Sequence, residues 1–362
     1  MTSFIELRVP EPLSSRLASL GYQQPTPIQV EAIPPALEGK GILGSAQTGS
    51  GKTAAFIIPL LAALLKSPGT SGLVLTPTRE LAAQILNFAT QLLDKQDEIF
   101  CTLLIGGHPM GKQLAGLKKN PRLIIGTPGR IKDHLDRATL SLEKSKVFVL
   151  DEADRMLDMG FGPQLKVIAA HLPQQRQTMM FSATLSPGIV KLSKQYLQNP
   201  VRISIGSTKE KGSHIKQKVV HLTSEALKYK QLESELTARK GTILVFVKTK
   251  MGSQRLAKKL ICADFKTECI HGDLNQRRRD RIIERFRGKA YRILVATDVV
   301  ARGLDISHIA HVINYDLPES AQDYIHRIGR TARAGAQGEA VCLVTPSQKR
   351  KWALIKRHLS ER

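Results

Sequence analysis

The chain has 362 residues, 42% apolar and 23% charged, and its 54 Lys/Arg exceed its 31 Asp/Glu by 23 formal charges. That length favours two domains of roughly 100–200 residues over a single core, and the composition is that of a folded globular protein. The longest apolar run, "AAFIIPLLAALL" at 54–65, is broken by Pro59 and falls short of the roughly 20 residues that span a bilayer, so it reads as a buried helix and argues against a membrane role. The start, "MTSFIELRVPEP", shows no secretory signal. Cys101, Cys262, Cys269 and Cys342 have no metal-ligand spacing, which indicates four reduced thiols in a cytoplasmic protein. Of the surplus charge, residues 1–206 carry seven and residues 207–362 sixteen. A polyanionic partner accounts for this bias, and a solvated basic surface accounts for it equally well.

In chain order, "KGILGSA", "SGLVLTPT", "IFCTLLIGG", "RLIIGTP", "KVFVLDEAD" and "TMMFSAT" read as strands, separated by helices such as "RELAAQILNFATQLLD". Continuous apolar strands alternating with helices predict a parallel sheet covered on both faces. The stretch "SIGSTKEKGSHIKQK" at 204–218 is polar and aperiodic, and the domain linker is placed there, at 207–214. The alternation then restarts with "TILVFVKT", "KTECIHG", "YRILVATD", "HVINYD" and "AVCLVT". The expected fold is α/β, one plan used twice, over residues 1–206 and 215–362. Ligands of open parallel sheets sit beyond the carboxyl ends of the strands, and many polar motifs of this chain follow a strand.

"AQTGSGKT" at 46–53 lies between a strand and a helix, the setting of a phosphate loop. Its glycines, Gly49 and Gly51, let backbone N–H groups face phosphates, Lys52 reaches the β/γ-phosphates, and Thr53 suits Mg²⁺. Ala46 stands where the strict pattern has glycine. Asp151 and Glu152 end the strand "KVFVL". Asp151 suits a magnesium ligand, direct or through water, and Glu152 a base for the attacking water. Alone, "DEAD" would read as an acidic helix start; beside Lys52 and Thr53 it completes a metal–triphosphate site.

From Phe4 to about Gly335 the chain resembles a minimal, bacterial-type DEAD-box RNA helicase core. The resemblance rests on "GYQQPTPIQ" (21–29), "AQTGSGKT", "PTREL" (77–81), "GG" (106–107), "TPGR" (127–130), "DEAD" (151–154), "SAT" (182–184), "LVFVKT" (244–249), "HGDLNQRRR" (271–279), "ATDVVARGLDI" (296–306) and "HRIGRTARAG" (326–335). It implies two RecA-like domains with a cleft between them and an RNA-stimulated ATPase that uses ATP and Mg²⁺. Tyr22, Gln24 and Gln29 would receive the adenine, and Thr48, Gly49, Ser50, Gly51, Lys52 and Thr53 the phosphates. Asp305 would hold the ribose, and Arg330 and Arg333 would meet the γ-phosphate from the second domain. Thr78, Arg79, Gly107, Thr127, Gly129 and Arg130, with Thr249, Gln276, Arg279 and Thr297, match positions that bind the RNA backbone. Ser182 and Thr184, hydrogen-bonded to Asp154, and His326 would couple hydrolysis to strand separation.

Ala332 replaces a frequent glycine, which is read as a minor change. Arg277, Arg278, Arg281, Arg285 and Arg287 read as a solvated helix face opposite Ile282, Ile283 and Phe286. "SQKRKWALIKRHLSER" reads as a final helix packed through Trp352 and Leu354. The implied function is local separation of short RNA duplexes by a cytoplasmic monomer that reads backbone and 2′-hydroxyl rather than sequence. An ATP-gated RNA clamp or assembly platform is the alternative.

Overall fold

A computed structural model describes residues 3–47, 49–206, 215–298, 308–332 and 337–360. The chain falls into two compact units, Met1–Ser207 and Thr208–Arg362, and each is taken by itself. No helix among the described residues is long and apolar enough to cross a membrane.

The first unit opens with helices α1 (Glu11–Ser19) and α2 (Pro27–Leu37). Its strands are β1 (Ile42–Ser45), β2 (Ser71–Leu75), β3 (Cys101–Leu104), β4 (Leu123–Gly126), β5 (Ser145–Leu150), β6 (Gln177–Ser182) and β7 (Val201–Ser204), in spatial order β3-β4-β2-β5-β6-β1-β7. Every pairing is parallel. The strand ends are in register: Leu75 pairs with Gly126 and Leu150, Leu104 with Gly126, and Ser45 with Ser182 and Ser204. All the motif-bearing loops therefore leave the sheet at one level.

Alternate strand residues feed two cores. Val74, Ile125, Val147 and Val149 face one side, packed with α3 (Lys52–Lys66) and α4 (Arg79–Gln91). Leu73, Leu75, Phe148 and Leu150 face the other, packed with α6 (Pro128–Asp136), α7 (Ala153–Asp158), α8 (Gly162–Ala170) and α9 (Pro187–Tyr196); α5 (Met110–Leu117) follows β3. Helix α3 contains the long apolar run and is buried from Ala54 through Ala62, the state expected of a helix that is apolar all round.

The second unit contains β8 (Ile215–His221), α10 (Lys228–Thr237), β9 (Thr242–Phe246), α11 (Lys250–Cys262), β10 (Thr267–Ile270), α12 (Gln276–Arg287), β11 (Ile293–Ala296), β12 (Ile309–Asn314), α13 (Ala321–Ile328), β13 (Gly338–Val344) and α14 (Lys349–Ser360). Its parallel sheet runs β10-β11-β9-β12-β13-β8. Phe246 pairs with Ala296 and Asn314, and Ala296 with Ile270, so these loops also share one edge.

Two expectations need correction. Residues 215–218, read as part of the polar linker stretch, begin β8, which pairs in parallel with β13 along its whole length. On α14, Trp352 and Ile355 are buried at helical spacing, whereas Leu354 is 56% exposed. Along α12, Ile282, Ile283 and Phe286 are buried, and Arg277, Arg278, Arg281, Arg285 and Arg287 are exposed.

Candidate active site

The loop between β1 and α3 has the backbone a phosphate cradle needs. Gly49 has φ +80° and Gly51 φ +95°, left-handed values that a side chain disfavours. Ala46 is outside that region; it is buried, and its N–H donates to the Ser182 carbonyl, so no glycine is required there. Ser50 Oγ is shielded from water with no hydrogen-bond partner in the protein. Thr53 lies half-buried in the first turn of α3. Gln29 closes the loop from below: its Oε1 accepts from Thr26 N–H at 2.9 Å and its Nε2 donates to Gly51 O at 3.0 Å. It is buried, yet each end of its amide keeps further capacity, one N–H and one lone pair. Tyr22 and Gln24 are exposed nearby in sequence, the Tyr22 ring resting 5.5 Å from Phe88. Thr48 lies outside the described residues.

Lys52 is buried and turned back on its own loop, donating to the carbonyls of Ala46 and Gln47. Burial lowers its pKa, and the carboxylates of Asp151, Glu152 and Asp154 oppose that shift. Asp151 is 3% exposed. Its pKa is pushed up to about 7, first by burial and then by the neighbouring Glu152 carboxylate, with Lys52 pulling the other way. Two cations, Lys52 and Arg155, stand among the three crowded acids Asp151, Glu152 and Asp154, an arrangement that favours a further positive charge.

The donors at hand are hard oxygens, a threonine hydroxyl and a carboxylate, and they fit magnesium. Among the described residues no group of three or more His, Cys, Asp or Glu could hold a metal alone. Magnesium does not need one, because it usually takes one or two protein ligands, substrate phosphates and water.

Glu152 stands at φ +51°, a left-handed residue with a full side chain. Such a backbone costs roughly 1–2 kcal/mol and points to a functional constraint. The Asp151 carboxylate accepts its N–H at 2.9 Å, and its Oε2 lies 3.2 Å from Nη1 of Arg155, whose side chain is almost wholly buried. Two residues on, Asp154 is buried and accepts from the Ala183 N–H at 3.1 Å. The Ser182 hydroxyl accepts from Thr184 N–H, at 3.3 Å. A backbone amide of the second motif thus bonds the Asp154 carboxylate of the first.

The same edge of the first sheet carries the candidate nucleic-acid contacts. Thr78 caps α4, accepting from Leu81 N–H at 3.3 Å, and Thr127 stands at the N-terminus of α6. The Arg79 guanidinium lies over Gly106, where a Cβ would come within 3.0 Å of it, and Gly107 has φ +82°. Gly129 faces open space. Arg130 Nε lies 3.4 Å from Asp133.

In the second unit Thr249 caps α11 by accepting from Gly252 N–H at 2.9 Å, and Thr297 is buried behind β11. Gln276 and Arg279 lie on the buried side of α12, Gln276 donating to Asp280 at 2.9 Å.

Helix α13 carries His326 and ends just before Arg330, both buried, with Arg330 Nε donating to the His326 carbonyl at 3.2 Å. Arg327 on the same helix serves its own unit. It holds Asp298 through two bonds of 2.7 and 2.6 Å, donates to Asn314 and to the Asp316 carbonyl, and stacks 4.9 Å above Phe246. Asp316 in turn accepts from Lys248 N–H at 2.8 Å, just ahead of Thr249. Sequence reasoning assigned Arg327 and Asp298 nothing, although an arginine and an aspartate inside two dense motifs were a signal. Ala332 has φ +55°, so its methyl group is strained, which corrects its reading as a minor change. Asp305 and Arg333 lie outside the described residues.

Comparison with known proteins agrees with this arrangement. The profile of the DEAD/DEAH box helicase family matches residues 26–192, and that of the helicase conserved C-terminal domain matches residues 227–335. "ATP-dependent rRNA helicase RRP3" of Ajellomyces capsulatus is 43% identical over 371 residues, covering 99% of this chain and 75% of that one. "DEAD-box ATP-dependent RNA helicase CshA" of Bacillus cereus is 40% identical, covering 99% and 68%. Among solved structures, S. cerevisiae Dbp5 bound to RNA and ADP BeF3 superposes with a TM-score of 0.89 at 32% identity, covering 99% of this chain and 92% of that one. Mss116p bound to ssRNA and AMP-PNP gives 0.89 at 27% identity, covering 99% and 77%. With both halves matched in order and relatives of this identity aligned along almost its whole length, the chain belongs to the DEAD-box family of ATP-dependent RNA helicases.

Proposed function

We propose that the chain separates short RNA duplexes locally, by ATP-driven closure of its two domains, residues 1–206 and 215–362, on single-stranded RNA. The observation that carries this reading is the constellation of buried Lys52 and Asp151 with half-buried Glu152 beneath a left-handed glycine loop, on the sheet edge that also presents Thr78, Gly107, Thr127, Gly129 and Arg130. Gln29, Tyr22 and Gln24 receive the adenine, and the loop amides with Lys52 receive the phosphates. Thr53 and Asp151 would hold magnesium, partly through water, and the ion would supply charge neutralisation for the triphosphate and polarisation of the γ-phosphoryl group. Glu152 orients the attacking water and accepts its proton. Asp305 of the second domain holds the ribose, and Arg330 and Arg333 meet charge developing on the γ-phosphate, a task suited to the planar, permanently charged guanidinium.

Threonine hydroxyls, glycine amides and arginines bind phosphate and sugar without reading bases. Thr249, Gln276, Arg279 and Thr297 extend that groove, and recognition rests on the backbone and the 2′-hydroxyl. Asp154, Ser182, Thr184 and His326 transmit the state of the nucleotide to it. The protein acts as a cytoplasmic monomer.

Strand displacement tests the reading. With ATP, a duplex of about one helical turn should be separated efficiently and one three times longer poorly. Long-lived ATP-dependent RNA binding without displacement of either duplex would replace this reading with that of a clamp.

A further inference from the structure

Gln113 on α5 is 3% exposed and His134 on α6 is wholly buried, and neither has a part in the chemistry above. The Gln113 amide donates from Nε2 to two carbonyls, Ile105 O at 3.2 Å and His108 O at 3.0 Å. These carbonyls flank Gly106 and Gly107. Both amide protons are thereby used, which fixes the orientation of the group and turns Oε1 toward His134 Nε2, 3.4 Å away. An oxygen there can only accept, so Nε2 carries the imidazole proton. Nδ1 is then an acceptor, and the Thr139 hydroxyl, 2.8 Å from it and 3.0 Å from the His134 carbonyl, shares its one proton between the two. Burial lowers the His134 pKa and the Arg130 charge adds to the effect, in keeping with a neutral ring.

The bonds form one directed chain, from Thr139 to His134 to Gln113 to the two carbonyls around Gly106–Gly107. It joins two segments that carry candidate RNA contacts. One is the loop with Gly107, on which the Arg79 guanidinium rests. The other is α6, which begins at Pro128 and carries Gly129 and Arg130 in its first turn. Gln113 and His134 are the buried members, and breaking the bond between them strands polar atoms of both away from water, which makes this part of the chain rigid.

We infer that Gln113 and His134 are positioning residues for RNA binding, locking the Gly106–Gly107 loop and the start of α6 into one backbone-binding surface. The inference rests on the reading of Gly107, Gly129 and Arg130 as RNA contacts. It assigns the pair no role in nucleotide binding.

The test is RNA-stimulated ATPase of the full chain, titrated separately with RNA and with ATP. Gln113→Leu and His134→Leu should raise the RNA concentration for half-maximal stimulation roughly 5–10-fold, the loss expected from one or two uncoupled hydrogen bonds. The KM for ATP should stay within about twofold, since α5 and α6 hold none of the phosphate loop. His134→Gln places an amide N–H near the position of Nε2 and should recover most of the RNA affinity, a rescue that also serves if the leucine variants fold poorly. An unmoved RNA requirement in folded Gln113→Leu would overturn the inference. So would a parallel fall in RNA and ATP parameters with melting temperature, which would reduce the pair to ordinary packing. Arg130→Ala separates the two levels. If it raises the RNA requirement while the Gln113 and His134 variants do not, only this inference falls; if it too has no effect, the assignment of the groove falls with it.

Discussion

Asp151 shows how a single residue of the site trades stability for chemistry. Its folded pKa of about 7 lies above the ordinary aspartate value near 4, so the folded state binds the proton more tightly than the unfolded chain. The stability linked to that proton is present below about pH 4 and is lost as the pH rises through about 7. Asp151→Asn never ionises. It should therefore stabilise the nucleotide-free protein at pH 8, by on the order of 2–4 kcal/mol, far more than at pH 5, while abolishing ATPase. Thermal melts at the two pH values check this, and an equal shift at both would refute the burial argument. Arg327 supplies the opposite case, a charge matched in place by Asp298, Asn314 and Asp316. Asp298→Ala leaves that guanidinium buried without its carboxylate and should cost about 3–5 kcal/mol, seen as a lower denaturant midpoint. In the sequence Arg327 shares one dense motif with Arg330 and Arg333. Its real partner lies 29 residues earlier on another loop, a pairing no local pattern reveals. Glu152 was legible as an acid beside Asp151, but not its left-handed backbone, which only the turn from strand to helix imposes.

Among the elements, the central strands were the most legible, because strands covered on both faces are continuous apolar runs. The edge strands β7 and β8 were not: β8 carries Lys216, Gln217 and Lys218, the charged and polar surface by which an edge avoids pairing with another chain. The phosphate loop was legible as a motif, whereas its dependence on α2 was not. A Cβ on Gly51 would come within 2.4 Å of Gln29 Nε2, on a backbone already at φ +95°. Gly51→Ala should therefore displace the adenine-side glutamine and the phosphate loop together. It should weaken ATP affinity at least about tenfold, since the lost hydrogen bond and the backbone strain each contribute roughly 1 kcal/mol. RNA binding measured without nucleotide should be unchanged. Equilibrium titration with a fluorescent nucleotide and with labelled RNA distinguishes this from general unfolding, which would remove both.

For the whole molecule, the repeated strand-and-helix plan was readable from alternation alone, because each half closes its own two-faced core. If the proposed roles of Asp305, Arg330 and Arg333 of the second domain hold, neither half is an enzyme alone. Residues 1–206 should bind nucleotide weakly and hydrolyse almost none, with RNA or without it, and appreciable turnover by this fragment would show that the second-domain arginines are dispensable. Gating of ATP hydrolysis by RNA held along the strand edges is tested by steady-state ATPase of the full chain with single-stranded RNA, matched DNA or no nucleic acid. Strong stimulation by RNA of any sequence, little by DNA, slow turnover with neither, and no activity in Lys52→Ala under any condition are expected. Full turnover without nucleic acid, or equal stimulation by DNA, would contradict this gating.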